Sequence, residues 1–146
     1  MFKVVFNYDD RPLRLNQKRE VQSFIARLFK KEKKALERLD YVFCSDERLL
    51  QINRDFLKHD FFTDIITFDL SVDENITSGE IYISTDRVKE NAALLKTGYE
   101  EEMLRVLFHG ALHLCGYTDK RKHDVIIMRQ KEDYYIALYK QNKRST

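Results

Sequence analysis

His109 and His113 stand four residues apart, and their type and spacing suit the binding of a metal ion. Residues at i and i+4 of a helix project from one face about one turn apart, so two imidazoles can reach one cation at zinc distances of roughly 2.0–2.1 Å. Both lie in the most apolar segment of the chain, where a buried imidazole is costly unless its nitrogens find partners. A shared cation would satisfy both rings, although an isolated pair of this spacing is more often two satisfied core or surface histidines.

Gly116 and Asp119 extend this pattern to H-x-x-x-H-x-x-G-x-x-D. Gly116 is expected to end the helix and to turn the next segment back over the histidine face, where Asp119 would supply an oxygen as third ligand. Three protein ligands leave a fourth position open for water, which is typical of catalytic zinc. His123 is an alternative third ligand by donor type, whereas Cys115 should point to another helix face and belong to the core.

Gly110 occupies the position where an H-E-x-x-H zinc protease carries the glutamate that acts as general base. Without that proton acceptor, peptide hydrolysis is disfavoured. Phosphodiester cleavage depends more on neutralising charge on the phosphate oxygens, which a metal does directly. The glycine is equally well explained by close packing of its helix, and both interpretations can hold together.

Four strands and five helices are predicted around these residues. β-Branched and aromatic runs predict strands at 2–8, 39–44, 64–70 and 79–84, separated in part by a polar loop at 71–79. Apolar spacing predicts helices that begin near 17 and 45 and that span about 86–96, 99–114 and 122–140. Ser45 is the predicted N-cap of the second helix and Gly98 the C-cap of the third. This order predicts one α/β (α+β) domain with a single sheet, and the fourth helix, apolar nearly all round, should be buried with the histidines on it.

The composition is typical of a soluble globular protein, since 43% of the 146 residues are hydrophobic and 34% are charged. No N-terminal apolar run resembles a signal peptide, and none reaches the roughly 18 residues needed to span a bilayer. Cys44 and Cys115 are too few for a disulfide framework. We therefore expect a reducing, cytoplasmic setting and no membrane partner.

Charge is distributed unevenly along the chain. Residues 16–39 contain eight Lys/Arg against three Glu, and residues 46–80 contain three Lys/Arg against nine Asp/Glu. The basic helix can hold an RNA backbone, and its candidate contacts are Lys18, Arg19, Arg27, Lys30, Lys31, Lys33 and Lys34, with Lys30, Lys31, Lys33 and Lys34 chosen as the RNA-binding set. A solvated helix face is the simpler explanation of the same charges.

Three segments resemble the YbeY-type bacterial rRNA-maturation endoribonucleases. "HGALHLCGYTD" (109–119) is similar to the family signature H-G-x-L-H-L-x-G-Y-D-H. "INRDFLKHDFFTDIITF" (52–68) and "SGEIYIS" (78–84) are similar to two further family motifs, in the same order. The matches run from about Ser45 to Asp119, half of the chain.

The resemblance implies a single domain around a small mixed sheet, with one zinc ion per chain held by His109, His113 and Asp119. It implies hydrolysis of single-stranded RNA, namely ribosomal RNA of the small subunit, in ribosome maturation and quality control. The expected partners are this RNA and the ribosome or ribosome-associated proteins, and no DNA is expected.

Two positions depart from the family pattern. Asp119 replaces the third family histidine, and Leu57 replaces the family arginine, so that His59, at the family lysine's position, would partly substitute. His59 and Asp64 are the candidate catalytic residues, with Asp64 or Asp60 able to position water or a ligating histidine. Thr63–Asp64 is also an ordinary strand entry.

Two other functions are compatible with parts of this pattern. A zinc metallopeptidase is suggested by the two histidines and the glycine turn, and is disfavoured by Gly110. A non-catalytic ribosome-associated module with structural zinc is suggested by Leu57, which cannot contact phosphate.

Overall fold

The computed structural model describes residues 3–144, which form one mixed four-stranded sheet and five helices, as the sequence predicted. The strands are β1 (Val4–Tyr8), β2 (Ala35–Cys44), β3 (Ile65–Asp69) and β4 (Ile76–Ser84). The helices are α1 (Lys18–Lys31), α2 (Asp46–Leu57), α3 (Thr85–Leu95), α4 (Tyr99–Leu114) and α5 (Lys122–Arg144). Phe2, included in the predicted first strand, lies outside the described residues.

The sheet has the strand order β1-β2-β4-β3. β2 pairs with β1 and with β4 in the parallel sense, while β3 pairs with β4 in the antiparallel sense. Parallel neighbours need a crossover between them, and α1 provides it between β1 and β2. β3 is therefore an edge strand, and α2 and α4 pack against it.

Helix α4 is the buried centre of the domain, as its sequence predicted, but the expectation that its two histidines are buried is wrong, because His109 is half-buried and His113 is exposed at the rim of the core. Leu107, Phe108 and Leu112 are fully buried in the main core, which also contains residues of α1, α5 and the three parallel strands. The Tyr41 hydroxyl on β2 donates to the Leu107 carbonyl over 2.7 Å and attaches the helix to the sheet. Helix α2 packs in a smaller cluster with Ile66 of β3. Within residues 3–144 no helix is long and apolar enough to cross a membrane.

The start of β4 was predicted too late. The strand begins at Ile76 rather than at 79, and its first residues pair with Ala35 and Leu36, which also lie before the predicted start of β2. These extensions contain polar and exposed residues, so an apolar pattern does not mark them. Backbone pairing between neighbouring strands extends them instead, and only the last part of the predicted loop at 71–79 is affected.

The predicted C-cap at Gly98 is wrong. Lys96, with a φ of 57°, ends α3 in the left-handed conformation, and Gly98, with a φ of −70°, is the N-cap of α4. Ser45 is an N-cap as predicted, because its hydroxyl accepts from the Arg48 backbone N–H over 3.1 Å.

Candidate functional site

A cleft of about 520 Å³ lies between β3, α4 and α5. His109, His113 and Asp119, the three predicted metal ligands, all line it, and so does Asp64 at the start of β3. His123, the alternative third ligand, is not among the residues that line the cleft. The structure thus brings the chosen ligands to one cavity and favours Asp119 over His123 as their companion.

The turn after α4 carries Asp119 back to the histidines. Gly116 adopts a φ of 110°, a conformation that suits glycine, and its N–H donates to the His113 carbonyl over 3.1 Å. The Tyr117 N–H donates to the Leu112 carbonyl over the same distance. As a result Asp119 Oδ2 lies 3.4 Å from His109 Nε2, as the glycine turn predicted.

Glu132 of α5 orients the first histidine. This carboxylate is 4% exposed and lies 2.7 Å from His109 Nδ1 through Oε2, while Arg105 Nη1 donates to its other oxygen over 3.1 Å. A carboxylate accepts hydrogen bonds, so Nδ1 is the donor of this bond, and Nε2, on the other side of the ring and 3.4 Å from Asp119 Oδ2, is the nitrogen that could bind a cation. Metal-binding histidines are commonly held in this way by a second carboxylate.

The charges around His109 favour a cation in the cleft. Burial alone would lower the pKa of His109, but the hydrogen bond and charge of Glu132, together with the charges of Asp119 and Asp64, outweigh it and raise the pKa. Carboxylates that stabilise an imidazolium equally stabilise a metal cation at the same place. Burial also raises the pKa of Asp64, so this carboxyl is more ready to hold a proton than an ordinary aspartate.

The donor types fit zinc, which accepts imidazole nitrogen and carboxylate oxygen. His109 is already oriented, and His113 and Asp119 border the same space. As the side chains lie, no three His, Cys, Asp or Glu residues between positions 3 and 144 form a group that could hold an ion. The metal site consequently stays a prediction, supported by the pair His109–Asp119 and by the shared cleft.

Glu32, at the end of α1, forms hydrogen bonds that hold the loop containing Asp119 in place. Its carboxylate accepts hydrogen bonds from Tyr117 over 2.8 Å, from Lys131 over 3.2 Å and from Tyr135. Burial alone would raise the pKa of Glu32, but these three donors outweigh it and lower the pKa. The network joins α1, the loop and α5, so the position of Asp119 depends on three parts of the chain.

Gly110 faces the sheet rather than the cleft. A Cβ atom at this position would lie 2.7 Å from Cδ1 of Ile81 and 3.0 Å from Cδ1 of Ile65. This observation supports close packing as the reason for the glycine. It also shows that a side chain at position 110 would meet the two isoleucines and not a substrate.

The second predicted catalytic residue, His59, lies elsewhere. It stacks on Phe61 at 5.1 Å between ring centroids, in the loop after α2, and neither it nor Leu57 is among the residues that line the cleft. Asp60 pairs with Arg54 on the surface. A role for His59 stays a prediction, and the structure gives it no contact with the other candidates.

The predicted RNA-binding lysines divide between two surfaces. Lys30, Lys33 and Lys34 border a groove of about 610 Å³ together with Lys3 and Arg27, and no acidic residue lines it. Lys31 instead lies over the ring of Tyr134, 5.6 Å from its centroid. We define the basic groove by Lys3, Arg27, Lys30, Lys33 and Lys34. It lies at the end of α1, where Glu32 stands next to Lys33 in the sequence.

Sequence reasoning missed Glu132 and Glu32. Glu132 had a recognisable signal, because it interrupts the buried stripe of α5 formed by Met128, Tyr135, Ile136 and Tyr139. An acidic residue at a core position of a helix needs a partner, which here is His109. Glu32 had no such signal, since it stands among the lysines of a charged helix end.

Glu132→Gln should weaken zinc binding by about 10–100-fold, the usual effect of removing a carboxylate behind a ligating histidine. The amide has the same shape but no charge, so the loss reports on the orientation and basicity of His109. Zinc affinity measured by competition with a chromophoric chelator tests this expectation. Asp133→Asn, which alters the exposed partner of Arg105, is the control and should change the affinity little. An unchanged affinity for Glu132→Gln would show that this contact is not part of a metal site.

Comparison with known proteins connects this cleft to one family. Residues 5–140 match the family model described as Endoribonuclease YbeY. A relative from Cytophaga hutchinsonii with that name is 47% identical over 137 residues, covering 94% of this chain and 96% of its own. Another from Flavobacterium psychrophilum is 41% identical over 141 residues, covering 95% and 99%. The solution structure of a Thermotoga maritima protein superposes with a TM-score of 0.68 at 25% identity, covering 97% of this chain and 92% of that one.

Proposed function

This chain belongs to the endoribonuclease YbeY family, and from that membership we propose that it is a zinc-dependent endoribonuclease that cleaves single-stranded RNA in ribosomal RNA processing. The observation that carries the proposal is the cleft that contains His109, His113 and Asp119, with the first histidine oriented by buried Glu132. The cell compartment that fits this function is the cytoplasm. Small-subunit ribosomal RNA, the ribosome and a part in its quality control belong to the same proposal.

His109, His113 and Asp119 would hold the zinc. When bound, the metal supplies a Lewis acid for a phosphoryl oxygen and lowers the pKa of a water molecule. Glu132 keeps the His109 ring in the tautomer that presents Nε2 to the cleft. Asp64 lines the same cleft, and its raised pKa suits it to hold or release a proton beside the substrate.

The basic groove supports the choice of RNA as substrate. Five basic side chains in a groove whose lining contains no acidic residue suit a phosphate backbone and provide no pattern for reading bases. Binding should consequently be sensitive to salt and only weakly selective for sequence. The packing of Gly110 against Ile81 and Ile65 disfavours a general base at the position a zinc peptidase uses.

The test is cleavage of single-stranded RNA and of casein, each with and without a chelator and over a range of salt concentrations. We expect RNA cleavage that needs metal and declines with salt, and no cleavage of casein. Chelator-sensitive cleavage of casein alone would establish the metallopeptidase instead. Bound zinc without turnover of either substrate would establish the non-catalytic module. His113→Ala is the control for a contaminating nuclease, because it should remove the RNA cleavage.

A further inference from the structure

The cleft carries more negative than positive charge on its walls. Four carboxylates and two arginines line it: Asp64, Glu102, Asp119, Glu132, Arg105 and Arg129. A phosphate group brought into such a site meets repulsion from the carboxylates in addition to attraction to a metal. Binding of RNA, the proposed substrate, therefore calls for a cationic side chain that faces the cleft and can turn toward the phosphate.

Arg105 does not meet that requirement. Its side chain is 15% exposed, and its two terminal nitrogens are engaged, Nη1 with Glu132 at 3.1 Å and Nη2 with Asp133 at 2.8 Å. To bind a substrate it would have to leave Glu132, which would then lose a partner of its buried carboxylate. Arg105 is a structural residue that holds Glu132 behind His109.

Arg129, unlike Arg105, is largely exposed and is not held by a hydrogen bond to Glu132. Its side chain is 58% exposed, and Glu132 Oε1, 3.7 Å from Nη1, already accepts from Arg105. At 3.7 Å this is an ion pair without a hydrogen bond, so the guanidinium keeps its donors for another acceptor. Glu102 of the same cleft is near enough for its charge to interact with that of Arg129. Arg129 lies one turn before Glu132 on α5, beside Met128, whose side chain also borders the cleft.

We propose that Arg129 binds the phosphate of the RNA strand in the cleft, with its guanidinium donating to two non-bridging oxygens. Guanidinium groups match the geometry of phosphate because two parallel N–H donors meet two oxygens. The inference rests on the proposed function and adds to it a phosphate-binding residue in the cleft, because Leu57 and its proposed substitute His59 lie outside the cleft lining.

The experiment compares Arg129→Gln, Arg129→Lys and Arg121→Gln with the wild type. Arg121 is exposed just before α5 and outside the cleft lining, so its substitution removes the same charge nearby. We expect Arg129→Gln to lower kcat/KM for single-stranded RNA roughly 10- to 100-fold, the effect of one charge-assisted bond. In a plot of log K for RNA binding against log salt concentration, the slope should become shallower by about 0.7, the value for the loss of one phosphate contact. Arg129→Lys should recover part of the activity, and Arg121→Gln should stay within about threefold.

Zinc content and melting temperature are measured on every variant. Both should be unchanged in Arg129→Gln, because the side chain is largely exposed. Equal effects of Arg129→Gln and Arg121→Gln would overturn the assignment, since general electrostatics would then explain them. Loss of zinc in parallel with activity would also overturn it, because Arg129 would then act through Glu132. If the wild type cleaves RNA and Arg129→Gln is equally active, the assignment of Arg129 alone fails; if the wild type cleaves no RNA, the proposed function fails with it.

Discussion

His109→Ala is expected to weaken zinc binding by more than about 100-fold, because the loss of a carboxylate behind a ligand already costs about 10–100-fold. Cleavage of single-stranded RNA should decline to below about 1% of the wild type, as the Lewis acid is lost with the ligand. We expect this substitution to have the largest effect on zinc binding, because His109 contacts both Asp119, another candidate ligand, and Glu132, which orients its ring. Bound zinc by elemental analysis and RNA turnover are the measurements.

His123→Ala is the matched control for this substitution. His123 is exposed and outside the cleft lining, so zinc content and turnover should be close to those of the wild type. Asp119→Ala should reduce zinc content and RNA turnover about as much as His109→Ala does. Equal zinc content in His109→Ala and the wild type would contradict the metal site, and a larger effect of His123→Ala than of Asp119→Ala would show that the third ligand is misassigned. Melting temperatures in chelator separate metal loss from unfolding, because His109→Ala also leaves Glu132 without its imidazole partner.

Gly110→Glu recreates the H-E-x-x-H pattern of a zinc peptidase but is expected to destabilise the fold by about 4 kcal/mol or more. A Cβ alone would lie 2.7 Å from Ile81, and the carboxylate beyond it would be forced among the side chains between α4 and the sheet. We expect a melting temperature lower by roughly 10 °C or more, or loss of soluble protein, and no peptidase activity. Thermal unfolding and a casein assay test both parts.

Gly98→Glu is the control, because a Cβ at this N-cap of α4 has no heavy atom within 4 Å. Its effect on stability should stay near about 0.5 kcal/mol, as for other surface substitutions. Gly110→Ala should destabilise the fold by about 1–3 kcal/mol, more than Gly98→Glu and less than Gly110→Glu, because the ends of the isoleucine side chains can shift. A Gly110→Glu variant as stable as the wild type would show that position 110 is open, and casein cleavage by it would reopen the question of a peptidase.

Local patterns in the sequence determined the elements and the central residues of the candidate site. The 3.6-residue period placed His109 and His113 on one face of an apolar helix, and α4 has the bounds that this pattern predicts. Gly116 acts through its backbone conformation, and Ser45 acts through a hydrogen bond from a residue three positions later. Both roles can therefore be predicted from the local sequence. The family motifs pointed to the same three candidate ligands and added the class of reaction.

Contacts between residues far apart in the chain were decided by the tertiary structure. Glu132 meets His109 across 23 positions, and Glu32 meets Tyr117 across 85, because α5 and α1 both pack against α4 and the loop after it. The strand order, the early start of β4 and the N-cap role of Gly98 likewise depend on pairing and packing partners that no local pattern names. The spacing of His109 and His113 can be read from the local sequence. The carboxylates of Glu132 and Glu32, which hold His109 and the loop in place, reach their partners only when the helices pack around the sheet.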